Sequence, residues 1–370
     1  MDQALYWMWL AGALGLDVSP GGEAVRLYGS ARALYEARGQ EDLSAQFPRA
    51  AARRLRETEP AAYLPVLLRC QQLGVTVLTP DDGDYPARLR ELPDLPPVLY
   101  VTGSPLCLNG SRYVGMVGTR RPTSYGVQAC RQIARELAEG GAVIVSGLAD
   151  GLDGEAQRAA VEAGAPTIGF LGTPIDHTYP AGHAGLRRRI EEEAGGAVVS
   201  EYPPGCRYDQ KATFLARNRL IAGLSEALCV AEARTRSGTM NTVSHAQRYG
   251  RPVFAVPGSI FSAVSEGTNE LLHSGRATVL RTGQDVLSAL HAAPSPAAAP
   301  RPGLTDPDEL AKTLSPEAQT VLAALGPKPR AAAEICAVCG MPAGAVLAAL
   351  TELEISGAAV AAPGRRYAAT

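Results

Sequence analysis

The stretch Tyr113-Val114-Gly115-Met116-Val117-Gly118-Thr119-Arg120-Arg121-Pro122-Thr123-Ser124-Tyr125-Gly126 decides the fold. An apolar run ends on a tight turn, a helical pattern fills 126–139, and a second apolar run covers 142–146. Strand, turn, helix and strand in that order make a βαβ unit, whose strands are parallel. The same alternation recurs on either side, with candidate strands at 75–78, 98–102, 167–171, 197–201, 227–231, 252–256 and 278–280. Further helical patterns fill 154–163 and 241–249. The predicted class is α/β, a doubly wound parallel sheet with helices on both faces.

The flanks read differently. Residues 1–75 carry helical apolar stretches broken by Ser19-Pro20-Gly21-Gly22 and similar punctuation, which predicts a helical module. The sheet then occupies 76–290, and an Ala/Pro-rich linker 291–309. Residues 310–370 read as three short helices and a hairpin, the pattern of a winged helix, with charges too nearly balanced to choose between duplex DNA and protein as its partner.

The net charge of −2 excludes a uniformly basic nucleic-acid coat but allows a local basic site. Between Gly205 and Arg251 stand eight basic residues against three acidic ones. Seven scattered cysteines and no signal peptide predict a reducing, cytoplasmic location. Cys336 and Cys339 form a lone C-x-x-C without a second pair, so no metal is expected. The apolar run 4–16 is too short to span a bilayer and reads as a packed helix.

In a parallel sheet, ligands bind where strands turn into helices at their carboxyl ends. Gly118-Thr119-Arg120, Ser146-Gly147, Ser237-Gly238-Thr239 and Pro257-Gly258-Ser259 all stand at such turns. Those around Gly118, Ser237 and Ser259 together suit a phosphate-binding rim, with the helix N-terminus after Gly118, capped by Ser124, offering its N–H groups beside Arg120. No G-x-G-x-x-G or P-loop is present, so no nucleotide cofactor is expected, and no constellation of histidines and carboxylates suggests a catalytic centre.

Phe214-Leu215-Ala216-Arg217-Asn218-Arg219, shortly after Lys211, gathers a ring, an amide, two guanidiniums and an ammonium. This set suits a flexible, phosphate-rich single strand. An interior role suits it too, with Arg217 and Arg219 in ion pairs and Phe214 in the core.

These residues resemble the DprA/Smf family of DNA-processing proteins. The resemblance rests on Asp84-Tyr85-Pro86, Val117-Gly118-Thr119-Arg120, Ser146-Gly147-Leu148-Ala149, Ser200-Glu201-Tyr202-Pro203-Pro204-Gly205, the Phe214 segment, Arg236-Ser237-Gly238-Thr239 and Val253-Phe254-Ala255-Val256-Pro257-Gly258-Ser259. It covers about 75–280 in order. It implies a Rossmann-like core flanked by a helical module of SAM or helix-hairpin-helix type and a winged helix. It also implies a homodimer that binds single-stranded DNA and loads the RecA recombinase in natural transformation, with single-strand-binding protein a further candidate partner. By motif position, the DNA-binding arginine, lysine and aromatic fall on Arg120, Lys211 and Phe214. The wider candidate set adds Gly118, Thr119, Ser146, Gly147, Arg217, Asn218, Arg219, Ser237, Gly238 and Thr239. Leu215, Asp150 and Gln157 depart from the family pattern, where a proline, a basic or small residue and a histidine are common.

The alternative is an enzyme, because Ser237-Gly238-Thr239-Met240-Asn241-Thr242 resembles a loop of nucleoside-monophosphate phosphoribohydrolases. Asn241 and Thr242 stand in place of its glutamates, so a catalytic carboxylate is missing. No enzymatic activity is therefore expected.

Overall fold

The computed structural model describes residues 2–15, 19–39, 42–110, 112–292, 314–325, 330–355, 359–362 and 366–369. The chain forms two compact units, divided after residue 295. The predicted linker lies, beyond residue 292, outside the described residues, as does most of the predicted wing turn.

The first unit begins with five helices, α1 (Gln3–Leu14), α2 (Ser19–Tyr28), α3 (Ala31–Ala37), α4 (Arg49–Glu57) and α5 (Leu64–Gln72). Asp2 starts α1 by accepting the Ala4 N–H at 3.0 Å. Helix α1 is buried on almost every side, which is why its sequence is apolar all round rather than striped. Its indoles still find partners, Trp7 donating to Asp81 Oδ2 at 2.7 Å and Trp9 to the Thr58 carbonyl at 3.1 Å. The helices share one apolar core with the sheet, so Trp7 and Leu10 belong to the same cluster as Leu99 and Val199.

The sheet contains all nine predicted strands: β1 (Thr76–Leu78), β2 (Leu99–Gly103), β3 (Tyr113–Val117), β4 (Val143–Ser146), β5 (Thr167–Phe170), β6 (Ala197–Ser200), β7 (Ala227–Val230), β8 (Val253–Ala255) and β9 (Thr278–Val279). Their spatial order is β1-β2-β6-β5-β4-β3-β7-β8-β9. Every residue of β3 to β8 is buried, because helices cover both faces, and strands covered on both faces read as unbroken apolar runs. The sheet is not wholly parallel: β2 runs antiparallel to both β1 and β6. These first two strands precede the βα repeats and have no long crossover helix between them, which a parallel pair would need.

Helix α6 (Ala87–Arg90) precedes β2; the crossovers follow as α7 (Ser124–Glu139), α8 (Leu152–Glu162), α9 (Ala184–Glu192), α10 (Gln210–Leu224), α11 (Gly238–Arg248) and α12 (Glu266–His273), and α13 (Gly283–Ala292) comes after β9. After β3 the chain steps to β4, β5 and β6, then crosses back to lay β7 on the other side of β3. The connections leaving β3 and β7 therefore diverge, and their carboxyl ends frame a crevice at the switch point.

The second unit has α14 (Pro316–Ala324), β10 (Arg330–Ala331), α15 (Ala332–Cys339), α16 (Ala343–Ile355), β11 (Ala359–Ala362) and β12 (Arg366–Ala369), with its own core around Val321, Ile335 and Leu350. Three helices and a three-stranded sheet make a winged helix. Ser315 caps α14 and is itself held by Glu352 on α16, which accepts from its hydroxyl at 2.6 Å. Cys336 and Cys339 are half-buried on α15, and no group among the described residues could hold a metal ion.

Candidate nucleic-acid interface

A cleft of about 710 Å³ opens at the β3/β7 switch point. Three segments wall it: Gly118-Thr119-Arg120 after β3, Ser237-Gly238-Thr239 at the start of α11, and the first turns of α10. Along α10, Phe214, Arg217, Asn218 and Ile221 recur at i, i+3, i+4 and i+7, so they share the face that lines the cleft. Asp209 starts this helix by accepting the N–H groups of Lys211 and Ala212 at 3.0 and 3.3 Å, which brings the Lys211 side chain to the cleft.

Phe214 is half-buried at the centre. The Arg120 and Arg217 guanidiniums stand 5.4 and 5.6 Å from its ring centre, and Tyr179 meets it edge-on at 5.4 Å. Arg120 and Lys211 are exposed and have no acidic partner among the described residues. Two mobile-ended cations beside a partly bared ring can pair with an anion while a flat group stacks.

Arg217 plays a different part. It is 3% exposed and donates to the Gly147 carbonyl at 2.6 Å, to the Phe170 carbonyl, and to Asn218 Oδ1 at 3.2 Å. Asp153 is buried with it and accepts the N–H groups of Gly147 at 3.1 Å and Gly118 at 3.4 Å. Burial lowers the Arg217 guanidinium to about 10, against the pull of Asp153, and it stays charged at neutral pH. Burial likewise pushes the Asp153 carboxyl up, with Arg217 opposing. A Cβ on Gly147 would lie 2.5 Å from Asp153 Oδ2 and 2.7 Å from the Arg217 nitrogens, so only glycine leaves room for them. At Gly118 a Cβ would meet Leu152 Cδ1 at 2.5 Å.

Several candidates are committed to internal partners rather than free to meet a ligand. Arg219 is buried on the far side of α10, where it pairs with Glu201 and donates to the Asp94 carbonyl at 2.8 Å. Ser146 is fully buried and donates to the Met116 carbonyl at 2.6 Å, so it supports the turn without reaching the cleft. Asn218 spends its amide on the Gly238 carbonyl and Asn241 Oδ1, both at 3.2 Å, tying α10 to α11. Of the eight basic residues at 205–251, Arg217 and Arg219 are thus internal, Arg251 is half-buried, and Arg248 lies 3.7 Å from Asp94.

The open helix N-terminus is also not the expected one. Thr123, not Ser124, caps α7, and the Glu232 carboxylate sits there, accepting the Thr123 N–H at 2.9 Å. An internal anion already fills that position. The N-terminus of α11 has no side-chain cap, because Ser237 turns its hydroxyl to the Arg234 carbonyl, and its Gly238 and Thr239 line the cleft. The Ser259 turn lines a neighbouring depression of about 350 Å³ instead of the main cleft.

The roles of three residues escaped the sequence reading. Tyr179, from the β5–α9 connection, could have been suspected only as an aromatic in a Pro-containing loop. Asp153 carries no signal beyond its place in Gly151-Leu152-Asp153. Gln157 accepts the Leu148 N–H at 3.0 Å and steadies a turn in which Leu148 takes a φ of 51°. Asp150, the departure that bore on the charge of this turn, is exposed, is not among the cleft's lining residues, and lies 4.0 Å from His183 Nε2.

Comparison with known proteins agrees with the geometry. The family model described as DNA recombination-mediator protein A matches residues 76–291, and that of the DprA winged helix domain matches 292–365. Protein Smf of Synechocystis is 36% identical over 331 residues, covering 80% of this chain and 81% of that protein. The crystal structure of DNA processing protein A from Streptococcus pneumoniae superposes with a TM-score of 0.64 at 32% identity, covering 78% of this chain and 98% of that one. DNA processing protein A from Helicobacter pylori, described for its single-stranded DNA binding mode, gives 0.53 at 35% identity over 59% of this chain and 95% of that one. With its switch-point cleft, its winged helix and this similarity along most of its length, the chain belongs to the DprA/Smf family of DNA-processing proteins.

Proposed function

We propose that the switch-point cleft holds single-stranded DNA without reading its sequence and without turning it over. Arg120 and Lys211 take phosphates, the open N-terminus of α11 at Gly238 and Thr239 takes a third anionic group, and Phe214 with Tyr179 receives a base. The observation that carries the reading is the ring of Phe214, partly bared beside the exposed Arg120 in a cleft that Lys211 also lines. Base faces and phosphates are common to all nucleotides, so sequence preference is small. Gly118, Thr119 and Ser237 shape the rim, while Arg217, Asp153 and Asn218 brace the lining through internal bonds and Gly147 and Ser146 support it from behind.

Asp153 is the carboxylate in the lining, and it is committed to two backbone N–H groups beside Arg217. Asn241, at the place of a catalytic glutamate in the related hydrolases, is bonded to Asn218. Both observations favour binding over glycosidic-bond chemistry. In the cell, a homodimer would pass the bound strand to RecA, with single-strand-binding protein a further partner; the family resemblance supports this step.

Fluorescence anisotropy with a labelled oligonucleotide, its duplex and a mononucleotide tests the proposal. Single strands should bind well ahead of the other two. Tight mononucleotide binding with no gain for oligomers would overturn it. Faster RecA assembly on strands coated by single-strand-binding protein is the expected sign of loading.

A further inference from the structure

The loop after β8 is firmly tied yet holds two large apolar side chains in solvent. The Tyr125 hydroxyl donates to the Pro257 carbonyl at 2.8 Å, and Gly258 exchanges two bonds with Asn269, both 3.1 Å. The Ser262 N–H donates to the Ser259 carbonyl at 3.0 Å, and the Phe261 N–H to the Ser259 hydroxyl at 3.2 Å. On this frame Phe261 is 93% exposed and Ile260 82%. A mobile loop could fold such side chains away; a braced one displays them.

The place is informative. Strands β3, β7 and β8 are successive neighbours, so at about 4.8 Å per strand this loop stands roughly 10 Å along the same sheet edge from Gly118. Between them lies the β7–α11 loop, whose Arg234 and Arg236 are exposed with no acidic partner among the described residues. The first turn of α12, which follows the β8 loop, touches the β7–α11 loop, the Gly267 N–H donating to the Ala233 carbonyl at 2.8 Å. Ring, cations and ring therefore follow one another along one edge.

We infer that Phe261, with Ile260 beside it, is a second base-stacking platform for the strand that enters at Phe214, reached across Arg234 and Arg236. The inference rests on the single-strand reading of the cleft. Interleaved arginines suit a polyanion, whereas two side chains are a small patch for a stable protein–protein interface, which buries about 800 Å² per partner. Phe214 packs against Gly172, just after β5, and β8 lies four strands along at about 4.8 Å each, so the platforms stand about 20 Å apart and a strand needs several nucleotides to span them.

The test is a length series of labelled oligothymidylates, from about four nucleotides to about twenty, titrated against the full chain and its Phe261→Ala, Phe261→Trp and Phe261→Leu variants. Phe261→Ala should weaken binding of the longer strands by about 5- to 150-fold, the worth of one stacked base, and leave the shortest unchanged. Phe261→Trp should keep the affinity, and Phe261→Leu, apolar but without a π face, should lose it. Equal affinities of Phe261→Ala and wild type at every length would overturn the inference while leaving the cleft intact. So would a change in the sedimentation of the DNA-free protein on Phe261→Ala, which would make the patch a self-association surface. Failure of the wild-type chain to bind any length would fall on the single-strand reading itself.

Discussion

Truncating Phe214 to alanine separates a DNA-stacking ring from a packing one. A fully buried phenylalanine costs about 3–5 kcal/mol of stability when cut to alanine. Phe214 is half-buried, against Tyr179, Arg217 and the backbone at Gly172, so its loss should cost roughly half as much, about 2 kcal/mol. A unit of this size should then melt only a few degrees lower and remain folded at room temperature. The exposed part of the ring is what a base would cover, worth about 1–3 kcal/mol or 5- to 150-fold in affinity. No charge is removed, so the slope of log affinity against log salt should stay that of the wild type. The assay pairs thermal melts with anisotropy titrations at several salt concentrations. A variant that binds as wild type while folded, or one that does not fold, would refute the reasoning.

Lys211→Ala should weaken binding to all sequences alike and make that salt slope shallower by about 0.7, the share of one phosphate on a single strand; an unchanged slope would remove Lys211 from the contact. Arg217→Met should cost about 3–5 kcal/mol of stability at neutral pH, because Asp153 is left buried without its counter-charge. Since burial already raises the Asp153 carboxyl and Arg217 opposes this, the deficit should be small in acid, where folded and unfolded chains both hold the proton. It should grow as pH rises through the carboxylate range, and urea denaturation at several pH values checks it; a deficit independent of pH would mean that packing alone is lost. A chain ending at Ala292 keeps the whole cleft and should retain most of its single-strand affinity in the same titration.

The sequence alone determined much of this molecule. Nine strands, their alternation with helices, the helical module, the winged helix and the Gly- and Ser-bearing turns at the strand ends were all legible. These are local properties: a strand covered on both faces is an apolar run, and a chain reversal needs small residues, wherever the rest of the chain lies. Arg120, Lys211 and Phe214 were legible as a group through the family motifs. What decided the cleft was long-range. Arg217 and Arg219 lie two residues apart on one helix and look alike in sequence, yet their carbonyl partners stand 70 and 125 residues away, at Gly147 and Asp94. The helix turns about 100° per residue, so two residues apart means nearly opposite faces, and only the packed neighbours say what each face meets. In the same way Glu232 closes the N-terminus of α7 across 109 residues and leaves α11 as the open one. A guanidinium or carboxylate goes wherever its desolvation is best compensated, and that balance exists only once the sheet order has brought distant loops together.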